Sequence, residues 1–179
     1  MSAPFDLGTS LPNCAPTVHV STMVRLVAVE SGFNPFAIGV VGARLQRQPR
    51  GYREALATIY WLEANSYNYS VGLAQVNKHN FKAYGLAPET ALLACPNLAA
   101  GGAILTECFR RASNRAMSAQ MALRAAFSCY ESGNFNTGFR DGYVQRIVAP
   151  HAAPPLTRGV KPTKHFGTEQ PEIHRPERP

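Results

Sequence analysis

Val24-Arg25-Leu26-Val27-Ala28-Val29-Glu30-Ser31-Gly32-Phe33-Asn34-Pro35 is the stretch on which the reading of this chain turns. An apolar helical run ends in a carboxylate, and a Ser-Gly break follows at once. Met23, Leu26 and Val27 precede Glu30 by seven, four and three residues, so at helical spacing the carboxylate shares a face with the apolar stripe. A carboxyl held against hydrocarbon loses hydration in its charged form, and its pKa rises. A protonated carboxyl near neutral pH is what a general acid needs. On this stretch alone the plainer reading is a partly exposed glutamate at a helix end.

Outward from that helix the chain reads as mainly α. A hydroxyl at Ser21 or Thr22 is expected to cap its start, and Gly32 suits its end. Residues 1–16 carry Pro4, Pro12 and Pro16 and read as an extended N-terminal segment with Leu7 and Leu11 on the body. Residues 33–50 are loop-like, with a small β-turn or hairpin expected near 36–48. Arg44, Arg47 and Arg50 there read as a solvated basic loop or as contacts to substrate carboxylates. A helix is expected over 52–64, then a turn-rich connector over 65–70 in which Tyr67 and Tyr69 could stack on sugars or line a wet core edge. Short helices are expected over 78–84 and 88–94. A longer one runs from Asn97 to about Ala112, with small residues from Ala99 to Ala103 that let a neighbour approach closely. Another spans about Ser118 to Tyr130, with Met121 on its apolar face, and a last one covers Tyr143 to Val148. Residues 131–138 read as a polar loop. From Pro150 onward prolines and mixed charges mark a flexible tail, leaving 17–149 as the domain.

The chain has 179 residues, 45% of them apolar, enough for one core. A formal charge of +7 suits a polyanionic partner. The basic residues are scattered without interleaved aromatics, which disfavours nucleic acid. Cys14, Cys95, Cys108 and Cys129 contain no C-x-x-C pair and have no histidine at ligand spacing, so no metal is expected. They are either two disulfides, with three possible connectivities, or four small buried thiols. The apolar runs are too short to span a bilayer, so an integral membrane protein is not expected. Residues 1–16 lack a basic n-region and a long apolar h-region; a removed signal, another export route or a cytoplasmic protein all fit.

Four blocks recur in one order: E-S-G-F-N-P from Glu30, G-L-A-Q-V-N from Gly72, N-L-A-A-G-G-A-I-L from Asn97, and C-Y-E-S-G-N-F from Cys129. An opening Cys14-Ala15-Pro16 and a closing Gly142-Tyr143-Val144 frame them. Together they resemble the lytic transglycosylases, soluble lysozyme-like wall enzymes, and look closest to the branch that accompanies type IV secretion systems. The resemblance covers roughly residues 14–148. It implies a helical lysozyme-like domain with a sugar-binding groove, a periplasmic location and no cofactor.

Residue by residue, the resemblance implies that Glu30 is the catalytic acid and that Gln75 lines the groove. Tyr130 would hydrogen-bond the catalytic carboxylate. Asn77, Ser70, Glu131 and Asn134 are the further candidates for holding substrate. Two positions depart from the family pattern. Gly39 stands where other members have a serine, with Ser66 or Ser70 as substitutes. Glu131 stands where asparagine is usual and reads as a polar groove wall, with a second working carboxylate as the alternative.

Glycoside cleavage usually needs two carboxylates. Glu30 has no evident partner in sequence, since the only aspartates, Asp6 and Asp141, lie outside the blocks. One carboxylate suffices if the substrate supplies the nucleophile. In the family the muramic N-acetyl group steadies the positive centre. The acid protonates the leaving oxygen and then takes the proton of the sugar's own 6-hydroxyl, giving a 1,6-anhydro product. The expectation is therefore a peptidoglycan lytic transglycosylase that opens the wall for a secretion or conjugation channel, with the tail contacting channel subunits. The alternatives are a hydrolytic muramidase, using Glu63 or Glu131 as second carboxylate, and a glycan-binding assembly factor without turnover.

Overall fold

The computed structural model describes residues 7–115 and 118–149 and the two-residue strand Ile173–His174. The expected tail over 150–179 otherwise lies outside the described residues, as do the placements of Pro4 and of the Leu7 side chain. Among the described residues no helix is long and apolar enough to cross a membrane.

The segment expected to be extended is helical from Leu7 to Cys14 (α1), with Pro12 inside it. Leu11 and Ala15 are buried, and that burial overrides the proline-based reading. Helix α2 spans Val20–Ser31. Its first turn is capped by the imidazole of His19, whose Nδ1 accepts from the Ser21 amide at 3.2 Å, and not by a hydroxyl. Gly32 ends it in the left-handed region at φ 56°, its amide returning to the Ala28 carbonyl. Met23, Leu26 and Val27 are fully buried, as the stripe requires.

Strand β1 (Ile38–Val40) is followed by a tight turn in which the Ala43 amide donates to the Val40 carbonyl, and by β2 (Arg44–Leu45). Helix α3 runs from Tyr52 to Ala64 and buries Ala55, Thr58, Ile59 and Leu62. The expected connector over 65–70 ends in strand at Tyr69 and Ser70, because β3 (Tyr69–Val71) sits between β1 and β4 (Val76–Asn77) in a three-stranded antiparallel sheet. Tyr69 is fully buried, so it cannot stack on a ligand. Tyr67 instead stacks on Trp61, centroids 5.8 Å apart. Ile173–His174 (β5) pairs antiparallel with β2, Leu45 opposite Ile173.

Two 3₁₀ turns over Lys78–Asn80 and Lys82–Tyr84 and the single-turn α4 (Pro88–Ala91) lead to α5 (Ala94–Ser113). Its small residues serve close packing. A side chain at Gly101 would meet Ala74 Cβ at 2.5 Å, and one at Gly102 would meet Ala15 Cβ at 3.0 Å. Helix α6 (Ala119–Ser132) packs along α5 through Ala122, Ala125, Ala126 and Cys129. Met121 stands off that face, 58% exposed. The expected polar loop is shorter than read, since α6 continues to Ser132 and a helical turn α7 covers Thr137–Arg140. Helix α8 spans Tyr143–Val148, as the periodicity predicts.

The cysteines are two disulfides, Cys14–Cys95 joining α1 to α5 and Cys108–Cys129 joining α5 to α6. The apolar residues form two clusters. One gathers α1, α2, α5, α6 and α8; the other gathers the sheet, α3 and α4. Where the two meet, a groove opens.

Candidate active site

The groove has a volume of about 600 Å³, and Glu30, Gly39, Ser70, Gln75, Asn77, Tyr130 and Glu131 all line it. Sheet register accounts for one wall. Gly39 pairs with Ser70, and Ser70 pairs with Asn77, so the three form one row across β1, β3 and β4. Asn77 Nδ2 donates to Ser70 Oγ at 3.2 Å. Side chains in such a row point to one face of the sheet.

Gln75 projects from the turn between β3 and β4 at φ 45°, a left-handed position for a side-chain-bearing residue. Its Nε2 donates to the carbonyls of Ala37 (2.9 Å) and Gly72 (3.0 Å). Both amide hydrogens are thus used, and Oε1 remains as an acceptor. That oxygen lies 2.9 Å from where a side chain at Gly39 would begin. The absence of a serine at Gly39 is therefore matched by the Gln75 amide oxygen standing over the same spot.

Buried Asn97 holds this turn. Its Oδ1 accepts from the Ala74 amide at 2.8 Å, and its Nδ2 donates to the carbonyls of Val71 and Ala91 at 2.9 and 2.8 Å. Ser31 Oγ donates to the Leu73 carbonyl at 2.8 Å, tying the end of α2 to the same turn. The Ser31 bond ties the residue next to Glu30 to this turn.

The Glu30 carboxyl is drawn into the protein, and burial pushes its pKa up to about 7. A hydrogen bond from Tyr143 pulls the other way; the Glu131 charge raises it and Arg146 lowers it. The donor is the Tyr143 hydroxyl, which gives its hydrogen to Glu30 Oε1. Tyr143 is 3% exposed. Tyr130, expected to fill that role, donates instead to the Ala74 carbonyl at 2.6 Å. A phenol has one hydrogen to give, so Tyr130 braces the groove floor while Tyr143 orients the acid. The closing Gly-Tyr-Val was the only signal for Tyr143 in the sequence.

Other expectations do not meet at the groove. Asn134 shapes the loop after α6, where Oδ1 accepts from the amides of Asn136 and Thr137, and it is not among the groove-lining residues. Ser66 sits in the α3–β3 loop at φ 59°, away from the groove. Glu63 accepts from the Tyr69 hydroxyl at 2.8 Å and lines a separate depression. It is not placed to work with Glu30. Arg47 pairs with Glu54 at 2.5 Å, and none of Arg44, Arg47 and Arg50 lines the groove. Glu131 does line it, with its pKa raised by burial and by Asp141 and lowered by Arg146.

Residues 12–146 match the transglycosylase SLT domain family. The chain belongs to that family. Within it, the chain is similar to the type IV secretion system protein virB1 of Brucella suis, 51% identical over 142 residues, which cover 76% of this chain and 60% of that protein. It is also similar to the protein virB1 of Agrobacterium tumefaciens, 38% identical over 137 residues, 75% of this chain and 56% of that one. The chain thus spans about three-fifths of the length of these relatives. No solved structure matches it at a significant level. The SLT region holds Glu30, Gln75, Asn97, Tyr130 and Tyr143.

Proposed function

We propose that this SLT domain cleaves the β-1,4 link between N-acetylmuramic acid and N-acetylglucosamine in peptidoglycan and releases a 1,6-anhydro sugar. The observation that carries the reading is the half-buried Glu30 carboxyl, set in a groove and oriented by Tyr143, with desolvation pushing its pKa up to about 7. With Oε1 accepting from Tyr143, the other carboxyl oxygen is the one that carries the proton to the glycosidic oxygen. The bond from C1 to that oxygen breaks as the proton arrives. The carboxylate then takes the hydrogen of the same sugar's 6-hydroxyl, whose oxygen bonds to C1. The acid returns to its starting state and no water is consumed. Burial serves the first step because it keeps the proton on Glu30 near neutral pH. Gln75 Oε1, Ser70 and Asn77 supply the hydrogen-bonding wall for sugar hydroxyl and amide groups.

The names of the relatives support placing the activity in the cell envelope, where it would open the wall locally for a type IV secretion apparatus. Docking of the tail to channel subunits belongs to the same proposal.

A hydrolytic muramidase is the second reading, because Glu131 lines the same groove and could activate water. Mass analysis of the fragments released from purified peptidoglycan separates the two. Transglycosylation gives sugars lighter by one water than hydrolysis gives. Anhydro ends from the wild type, and at least about a hundredfold fewer from Glu30→Gln, are expected. Hydrated reducing ends alone would overturn the proposal in favour of hydrolysis. Binding to the wall without release of any fragment would favour a glycan-binding scaffold.

A further inference from the structure

Among the described groove-lining residues, Arg111 is the one permanent cation. It lies ten residues along α5 from Gly101, which abuts the Tyr130 hydroxyl. That is about 15 Å of helix rise. Arg111 lines the same groove as Glu30 but is not among the charges that shift the Glu30 carboxyl, which are Glu131 and Arg146.

Its surroundings hold it rigidly; the Glu107 carboxylate feels its charge but is hydrogen-bonded to Arg110. The Glu107 carboxylate, one turn back on the same helix, is the nearest natural partner. Both its oxygens are taken by Arg110, through Nε at 2.9 Å and Nη2 at 2.8 Å. Arg111 forms no ion pair among the described residues. Its guanidinium instead lies over the buried Phe135 ring, 5.4 Å from the centroid, with Arg115 over the same ring at 4.3 Å. Nη1 reaches the Cys129 sulfur at 3.8 Å, a weak acceptor. A flat ring and a disulfide fix the orientation of the fork without neutralising it. A planar guanidinium so placed matches a carboxylate in bidentate fashion.

We infer that Arg111 forms a subsite that binds a carboxylate carried by the glycan strand, and so selects charged peptidoglycan over neutral polysaccharide. The inference rests on the proposed peptidoglycan reading. Two carboxylates on such a strand have the right chemistry: those of the stem peptide, and the lactyl carboxylate left on muramic acid when the peptide is removed.

The test measures binding to the full chain carrying Glu30→Gln, which prevents turnover. The three ligands are soluble strands with stem peptides, the same strands stripped by an amidase, and a neutral chitooligosaccharide of equal length. A charged strand is expected to bind about tenfold more tightly than the neutral one. Preference for peptide-bearing strands alone assigns the stem peptide; equal preference for stripped strands assigns the lactyl group. Adding Arg111→Gln removes the preference. Adding Arg110→Gln weakens it, because Glu107 is released to pair with Arg111 at helical spacing. Adding Glu107→Gln to that variant restores it. Restoration is something a merely structural role for these residues would not produce.

Equal binding of all three ligands, or a preference that survives Arg111→Gln, overturns the subsite. Wild-type cleavage of the same strands is followed in parallel. Anhydro products without a charge preference sink this inference alone; a charge preference without products sinks the enzymatic reading alone. Binding to none of the ligands sinks both.

Discussion

The Tyr143 hydroxyl donates to Glu30 Oε1 from a position 113 residues further along the chain. The bond joins the last turn of α2 to the first turn of α8. It opposes the burial that raises the Glu30 pKa, and on the proposed mechanism it leaves the other carboxyl oxygen to carry the proton.

Tyr143→Phe is therefore expected to keep the fold and lose orientation. Turnover should fall about ten- to hundredfold. With the bond gone, the Glu30 pKa rises further, so the alkaline limb of the pH–rate profile moves upward. A profile unchanged in position, measured on soluble strands, would show that Tyr143 does not touch the acid.

Glu30→Gln should lower activity about 10²–10⁴-fold and stabilise the protein in a pH-dependent way. The folded pKa is about 7, raised from 4.5. Between these values the folded chain holds a proton that the unfolded chain has released. Wild-type stability thus falls as pH rises through that window, by about 3 kcal/mol. Glutamine removes the slope. The melting-temperature gain of the variant should widen from about pH 5 to about pH 8; a constant difference would place Glu30 in solvent.

Gly39→Ser tests the match between Gly39 and Gln75. The new Cβ would lie 2.9 Å from Gln75 Oε1, so the amide must shift. We expect about a tenfold fall in kcat/KM with a stability change under about 1 kcal/mol. Kinetics together with a melting curve check both parts.

Asn97→Ala removes three hydrogen bonds from a site 1% exposed and leaves the Ala74 amide and two carbonyls without partners. A loss of about 3 kcal/mol is expected, read by urea denaturation.

Replacing each disulfide by a serine pair should cost about 3 kcal/mol for Cys108–Cys129, at a separation of 21, and about 4.5 kcal/mol for Cys14–Cys95, at 81. The ordering is checked by denaturation of the two double variants under oxidising conditions.

The parts legible in sequence were those with local causes. The stripe Met23–Leu26–Val27 placed Glu30 on a buried face, Gly32 ended the helix, and the small residues of α5 marked a close approach. What stayed hidden depended on distant pairing. Tyr69 and Ser70 read as the end of a turn-rich connector until β1 and β4 flank them. Half-buried Tyr130 and buried Tyr143 both lie near the acid, and only geometry decides which gives its hydrogen to Glu30. Asn97 reads as the start of a small-residue helix, and its threefold bonding depends on Val71, Ala74 and Ala91 arriving from elsewhere. The proline in α1 misled because burial of Leu11 outweighed local propensity.

The bond from Tyr130 to the Ala74 carbonyl crosses beneath the groove, from the helical cluster to the sheet cluster. That hydrogen bond ties the two banks together at the bottom. On the proposed peptidoglycan reading, banks joined at the floor receive a strand from the side, so cleavage between cross-links needs no free chain end.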